Sequence, residues 1–115
     1  MKSDRVYLDH ILECLHWIDS HAADGEEVFL RDRKTQSAVL RELQTLAGSS
    51  QRLSGSLKAS QPSVPWEYIA GFRNVVVHDY LGLDVQRIWQ IVERDLQPLR
   101  TAILEMKASL ECDNA

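Results

Sequence analysis

A chain of 115 residues, 44% hydrophobic and 26% charged, is sized and composed for one globular domain spanning residues 1–115. Its formal net charge of −4 argues against broad, nonspecific nucleic-acid binding, and no apolar run approaches the roughly 20 residues of a membrane span. The polar start Met1-Lys2-Ser3-Asp4-Arg5 is unlike a signal peptide, so the expected location is cytoplasmic, with no membrane partner and with Cys14 and Cys112 as reduced thiols. The charge is uneven. Residues 1–30 carry two basic and seven acidic side chains, whereas residues 31–115 carry eleven basic and ten acidic. Any contact with a polyanion is therefore expected from the later part, locally around Arg73 and from Arg31, Arg33 and Lys34.

The spacing of Leu8, Ile11, Leu12, Leu15, Ile18 and Ala22 predicts a first helix from about Ser3 to Ala22 with one core-facing stripe. His10, Cys14, Trp17 and His21 form a second stripe roughly 120° away, an arrangement suited to a further contact. As metal ligands they are poor: His21 lies about 16 Å beyond His10 along the axis. Ala23-Asp24-Gly25-Glu26-Glu27 interrupts the pattern. A second helix is expected from around Asp32 or Thr35 to Leu57, with Val39, Leu40, Leu43, Leu46, Ala47, Leu53 and Leu57 inward and a weak point at Gly48-Ser49-Ser50. Ser54 to Pro65 reads as a linker.

Ser63-Val64-Pro65-Trp66-Glu67 reads as the start of a third helix, with Trp66, Ile69, Ala70, Val76 and Val77 inward. Asp84 is the expected N-cap of a last helix running through Val85, Ile88, Trp89, Val92, Leu96, Leu99, Ile103 and Leu110, kinked near Pro98. Val75-Val76-Val77 has no second strand to pair with. The fold that buries these stripes is all-α, an antiparallel four-helix bundle.

The segment Arg73-Asn74-Val75-Val76-Val77-His78-Asp79-Tyr80 carries the chemistry. A guanidinium grips phosphate oxygens at any pH, and an imidazole exchanges protons near neutrality. Five residues correspond to roughly 140° on an ideal helix, so Arg73 and His78 converge only if the helix stops near His78. Gly82 is a suitable C-terminal cap, and Asn74, four residues before His78, shares its face in a helical segment.

Arg-x4-His-x-Tyr with Asn after the Arg resembles the motif of the HEPN superfamily, in particular the HepT-like toxins. Phe29-Leu30-Arg31-Asp32-Arg33, the run from Pro65 to Phe72, and Val85-Gln86-Arg87-Ile88-Trp89 share that resemblance, which covers roughly residues 4 to 105. Many relatives carry Gly-Glu-Ala where this chain has Gly48-Ser49-Ser50. The resemblance implies a HEPN-type bundle and a ribonuclease paired with a minimal nucleotidyltransferase antitoxin, with Tyr80 as the acceptor of AMP.

For a metal-independent ribonuclease needing no cofactor, His78 would be general base or acid and Arg73 would stabilise charge on phosphorus, with Asn74 positioning His78 or a phosphate. One motif imidazole per chain does not readily serve both proton transfers. That count and the resemblance both point to a homodimer with two motifs in one cleft. The alternative is a noncatalytic helical module that binds a nucleotidyltransferase. A metal-dependent bundle hydrolase is disfavoured, since no inward Glu-x-x-His pair exists.

Overall fold

The computed structural model describes residues 3–75 and 84–113. The first helix, α1, runs Asp4–His21 and buries Leu8, Ile11, Leu15 and Ile18 completely. The second stripe divides: Cys14 joins the core, His10 is half-buried, and Trp17 stays 45% exposed, stacked on His21.

The interruption after α1 contains a helix that the sequence pattern did not reveal. Gly25, at φ 92° and ψ 177°, reverses the chain in a conformation suited to glycine, and α2 follows at once over Glu26–Arg31. Phe29 plugs this short helix into the core at 1% exposure. Asp32 then closes α2 and opens α3, Arg33–Arg52, its carboxylate accepting from Lys34 N (3.1 Å) and Thr35 Oγ1 (2.7 Å). The Thr35 hydrogen bond leads the interactions that hold Asp32 below its ordinary carboxylate range.

Helix α3 stays regular through Gly48-Ser49-Ser50 but stops at Arg52, five residues short of the expected Leu57. The cause is tertiary. Ser54 N and Oγ both donate to the Asp4 carboxylate at 2.8 Å, drawing the chain out of the helix, while Ser54 Oγ accepts from Leu57 N to begin α4, Gly55–Ala59. Helix α5, Trp66–Ala70, starts behind Pro65 as expected, its Trp66 indole donating to Lys58 O (3.0 Å). It tightens into a 3₁₀ turn, Gly71–Asn74, and Val75 is already extended at φ −72° and ψ 104°.

Asp84 caps α6, Val85–Gln90, by accepting from Arg87 N (3.1 Å). The distortion expected near Pro98 appears one turn earlier as a π-helical turn, Ile91–Asp95, before α7, Leu96–Asp113. Proline offers no N–H to the carbonyl of Arg94 and its ring crowds that carbonyl, so the preceding turn widens. Helices are the only regular structure among the described residues, which makes the fold all-α. α1 packs chiefly on α3 and then on α7, while α5 and the 3₁₀ turn lie against α3. Ion pairs further join α1 to α7: Arg5 with Glu111 (3.4 Å), Asp9 with Lys107 (2.8 Å) and Asp19 with Arg100.

Candidate active site

Arg73 and Asn74 sit exposed on the 3₁₀ turn, which the buried Phe72 anchors at 1% exposure against the core. Helix α3 holds this turn at two points. Gln44 Nε2 donates to Val75 O (3.0 Å), and Arg73 Nη1 donates to Gln51 Oε1 (2.7 Å). Gln44, Thr45, Gly48, Gln51, Arg52 and Arg73 line a groove of about 430 Å³. Two cations thus face one open, polar concavity, a setting that suits phosphate oxygens. Among the described residues, Arg73 makes no ion pair with a carboxylate.

The groove continues over Thr45, Gly48 and Arg52 toward α1, where it meets His10 and Ser49. Ser49 is 6% exposed, with its Oγ 2.5 Å from His10 Nδ1. Cys14 follows one turn along α1. Burial, reinforced by Glu42, pushes its thiol up to about 12, so it is a core thiol and not a nucleophile. A second cavity, of about 460 Å³, lies between α5 and α7 beside Tyr68, Arg94 and Asp95. Neither of the two described motif residues, Arg73 and Asn74, lines it. Tyr68 Oη donates to Asp95 Oδ2 there (2.7 Å), and that bond raises the phenol above its ordinary value.

Of the four residues singled out from the motif, Arg73 and Asn74 are described; His78 and Tyr80, with Val76, Val77 and Gly82, lie outside the described residues. The helical segment bearing Arg73 ends at Asn74, not near His78. Neither the 140° divergence of Arg73 and His78 nor a shared Asn74–His78 face can therefore be taken from a continuous α-helix. Arg31, Arg33 and Lys34 do not gather at this groove. Arg33 begins α3 and Gln51 lies near its end, a separation of about 27 Å along a straight helix. Gln44 and Gln51 were not apparent as site residues, because their seven-residue spacing marks a common helical face without saying what that face touches.

An all-helical bundle presenting an arginine at the mouth of a polar groove, followed in sequence by His-x-Tyr, is the arrangement of a HEPN-type domain. The model of the Ribonuclease HepT-like family matches residues 11–106, and the chain belongs to this family. It is 33% identical to "Probable ribonuclease HepT" of Thermococcus cleftensis over 100 residues, covering 86% of this chain and 91% of the relative. It is also 30% identical to a protein of Caldanaerobacter subterraneus subsp. tengcongensis named as a candidate RNase, covering 92% of this chain and 96% of the relative. A third similarity, 27% over 111 residues, is to a Methanocaldococcus jannaschii protein named as a gamma-glutamylcyclotransferase and candidate RNase, half of whose length the match spans. No solved structure matches.

Proposed function

We propose that the chain is a metal-independent ribonuclease toxin, with Arg73 and His78 as its catalytic residues and Asn74 in support. The observation that carries this reading is the Arg73 guanidinium, held at the rim of an open groove by a neutral amide in a chain of a ribonuclease family. In the reaction, a ribose 2′-oxygen of the RNA attacks the adjacent phosphorus as its proton passes to a base. The P–O5′ bond breaks, and the 5′-oxygen takes a proton from an acid, leaving a 2′,3′-cyclic phosphate. Arg73 stabilises the charge on the pentavalent phosphorus, and His78 performs one proton transfer. A second copy of the chain supplies the other imidazole, which makes a homodimer the working unit.

Neutralisation follows from the same site. A minimal nucleotidyltransferase partner transfers AMP from ATP to the Tyr80 hydroxyl with release of pyrophosphate, and the adenylate then occupies the space and the positive field that an RNA phosphate requires.

The test is cleavage of single-stranded RNA in the presence of chelator. Arg73→Ala and His78→Ala are each expected to lower the rate by about 10²-fold or more, the usual loss for a charge stabiliser or a proton-transfer group. Full activity in both variants refutes the assignment. RNA left intact by the wild-type dimer would favour the noncatalytic module instead.

A further inference from the structure

Gln44 and Gln51 are seven residues apart on α3, which places them on one stripe of the helix, about 10 Å apart along its axis. Both reach the segment that carries the motif, and they do so with opposite ends of the amide. The chemistry fixes which end. The Val75 carbonyl only accepts, so Gln44 must present its NH₂; guanidinium only donates, so Gln51 must present its oxygen. Gln44 therefore secures the main chain where the 3₁₀ turn ends, and Gln51 secures the head of the arginine that the turn displays.

We infer that Gln44 and Gln51 are positioning residues of the ribonuclease site, a paired amide clamp that sets the Arg73 guanidinium in the groove without neutralising it. The inference rests on the reading of Arg73 given above. A guanidinium has five N–H donors, and among the described residues the bond to Gln51 uses one, with the others turned to the phosphate in this reading. A carboxylate at position 51 would hold Arg73 more strongly through a charge-assisted bond, but would compete directly with the phosphate for the same fork. An alanine there would leave the charge intact and the side chain unoriented. Neutral oxygen at this position thus combines orientation with an undiminished positive field, and orientation of the stabilising group is what the rate depends on.

The two kinds of replacement separate positioning from charge. The experiment uses the full chain and a single-stranded RNA oligonucleotide, measuring single-turnover cleavage with chelator and the salt dependence of RNA binding. Arg73→Ala is expected to reduce the slope of log K against log salt by about 0.7, the amount for one phosphate contact on a single strand. Gln51→Glu should reproduce that reduced slope and lower cleavage by about 10²-fold. Gln51→Ala should keep the wild-type slope while cleavage falls about 5- to 10-fold, and Gln44→Ala should behave in the same way; these two are estimates for loss of orientation with charge retained. Melting temperatures identify any variant whose loss reflects unfolding.

Wild-type rate and slope in both Gln51 variants would overturn the clamp while leaving the ribonuclease reading intact, provided Arg73→Ala is impaired. An unimpaired Arg73→Ala would overturn both. If wild type binds RNA without cutting it, the ribonuclease reading fails, whereas a Gln51→Glu slope reduced like that of Arg73→Ala would still support the Gln51–Arg73 pairing in binding.

Discussion

Two glycines should respond to alanine with opposite signs, and the structure sets both magnitudes. Gly48 lies in the interior of α3, and a Cβ built there meets nothing within 4 Å. Its backbone is ordinary helix, so alanine relieves only the entropic cost of glycine, a gain of about 0.5–1 kcal/mol. For 115 residues at about 2.1 cal/mol/K per residue, the unfolding entropy is roughly 0.24 kcal/mol/K, so Gly48→Ala should raise Tm by about 2–4 °C. Gly25 also has open space around a built Cβ, but at φ 92° and ψ 177° a side chain is strained by about 1–3 kcal/mol. Gly25→Ala should then lower Tm by about 4–12 °C on the same scale. Urea titrations with matched m-values would report both shifts as changes in midpoint alone. Cleavage by Gly48→Ala should stay within about twofold of wild type, since one methyl on the groove floor does not block a groove of about 430 Å³. A destabilised Gly48→Ala, or a neutral Gly25→Ala, would refute the reasoning, because each sign depends on backbone conformation and not on lost contacts.

The two thiols should differ in reactivity: Cys112 is exposed and should react with a thiol reagent at neutral pH, while Cys14 should react only after denaturation, as intact-mass analysis after timed quenching can show. Because the Cys14 thiol is raised from 9.0 to about 12, it binds its proton more tightly in the folded state; its contribution to stability is intact below pH 9 and is lost as pH rises from about 9 to 12, which urea midpoints across that range would reveal against a Cys14→Ser control. Incubation with the partner nucleotidyltransferase, ATP and Mg²⁺ should add AMP increments to the wild-type mass and abolish RNA cleavage, and Tyr80→Phe should show neither effect; equal modification of the Phe variant would return Tyr80 to a structural role.

The long elements were legible because their apolar positions recur at helical spacing. Leu8, Ile11, Leu15 and Ile18 identify α1; Val39, Leu40, Leu43 and Leu46 identify α3; Asp84 announces the last helical run. The misses share a different origin. α2 has six residues and only one buried anchor, Phe29, too few for a period to emerge. The end of α3 is set by the Asp4–Ser54 contact across fifty positions of sequence, and Leu53 and Leu57 continue an apolar rhythm after the helix has stopped. At the candidate site, the sequence singled out Arg73 by residue type and by its spacing to His78, which lies outside the described residues. Its two amide holders were not, since a glutamine on a half-exposed helix is ordinary until the turn that it grips is known.

The departure at Gly48-Ser49-Ser50 takes on a definite meaning once α3 is in place. Ser49 and Gln51 are two positions apart, roughly 200° around the helix, so they serve different neighbours. Ser49 is buried against His10 of α1, whereas Gln51 is exposed beside Arg73. The absence of a carboxylate at position 49 therefore changes the α1–α3 contact, where a neutral hydroxyl bonds the imidazole, and leaves the immediate partner of Arg73 unaltered. A glutamate at 49 would place a carboxylate at a position only 6% exposed, and a desolvated carboxylate needs a cationic partner. With serine, hydroxyl and imidazole satisfy each other through one hydrogen bond. The arginine's surroundings in this chain depend on Gln44 and Gln51, residues that the comparison of short motifs passes over.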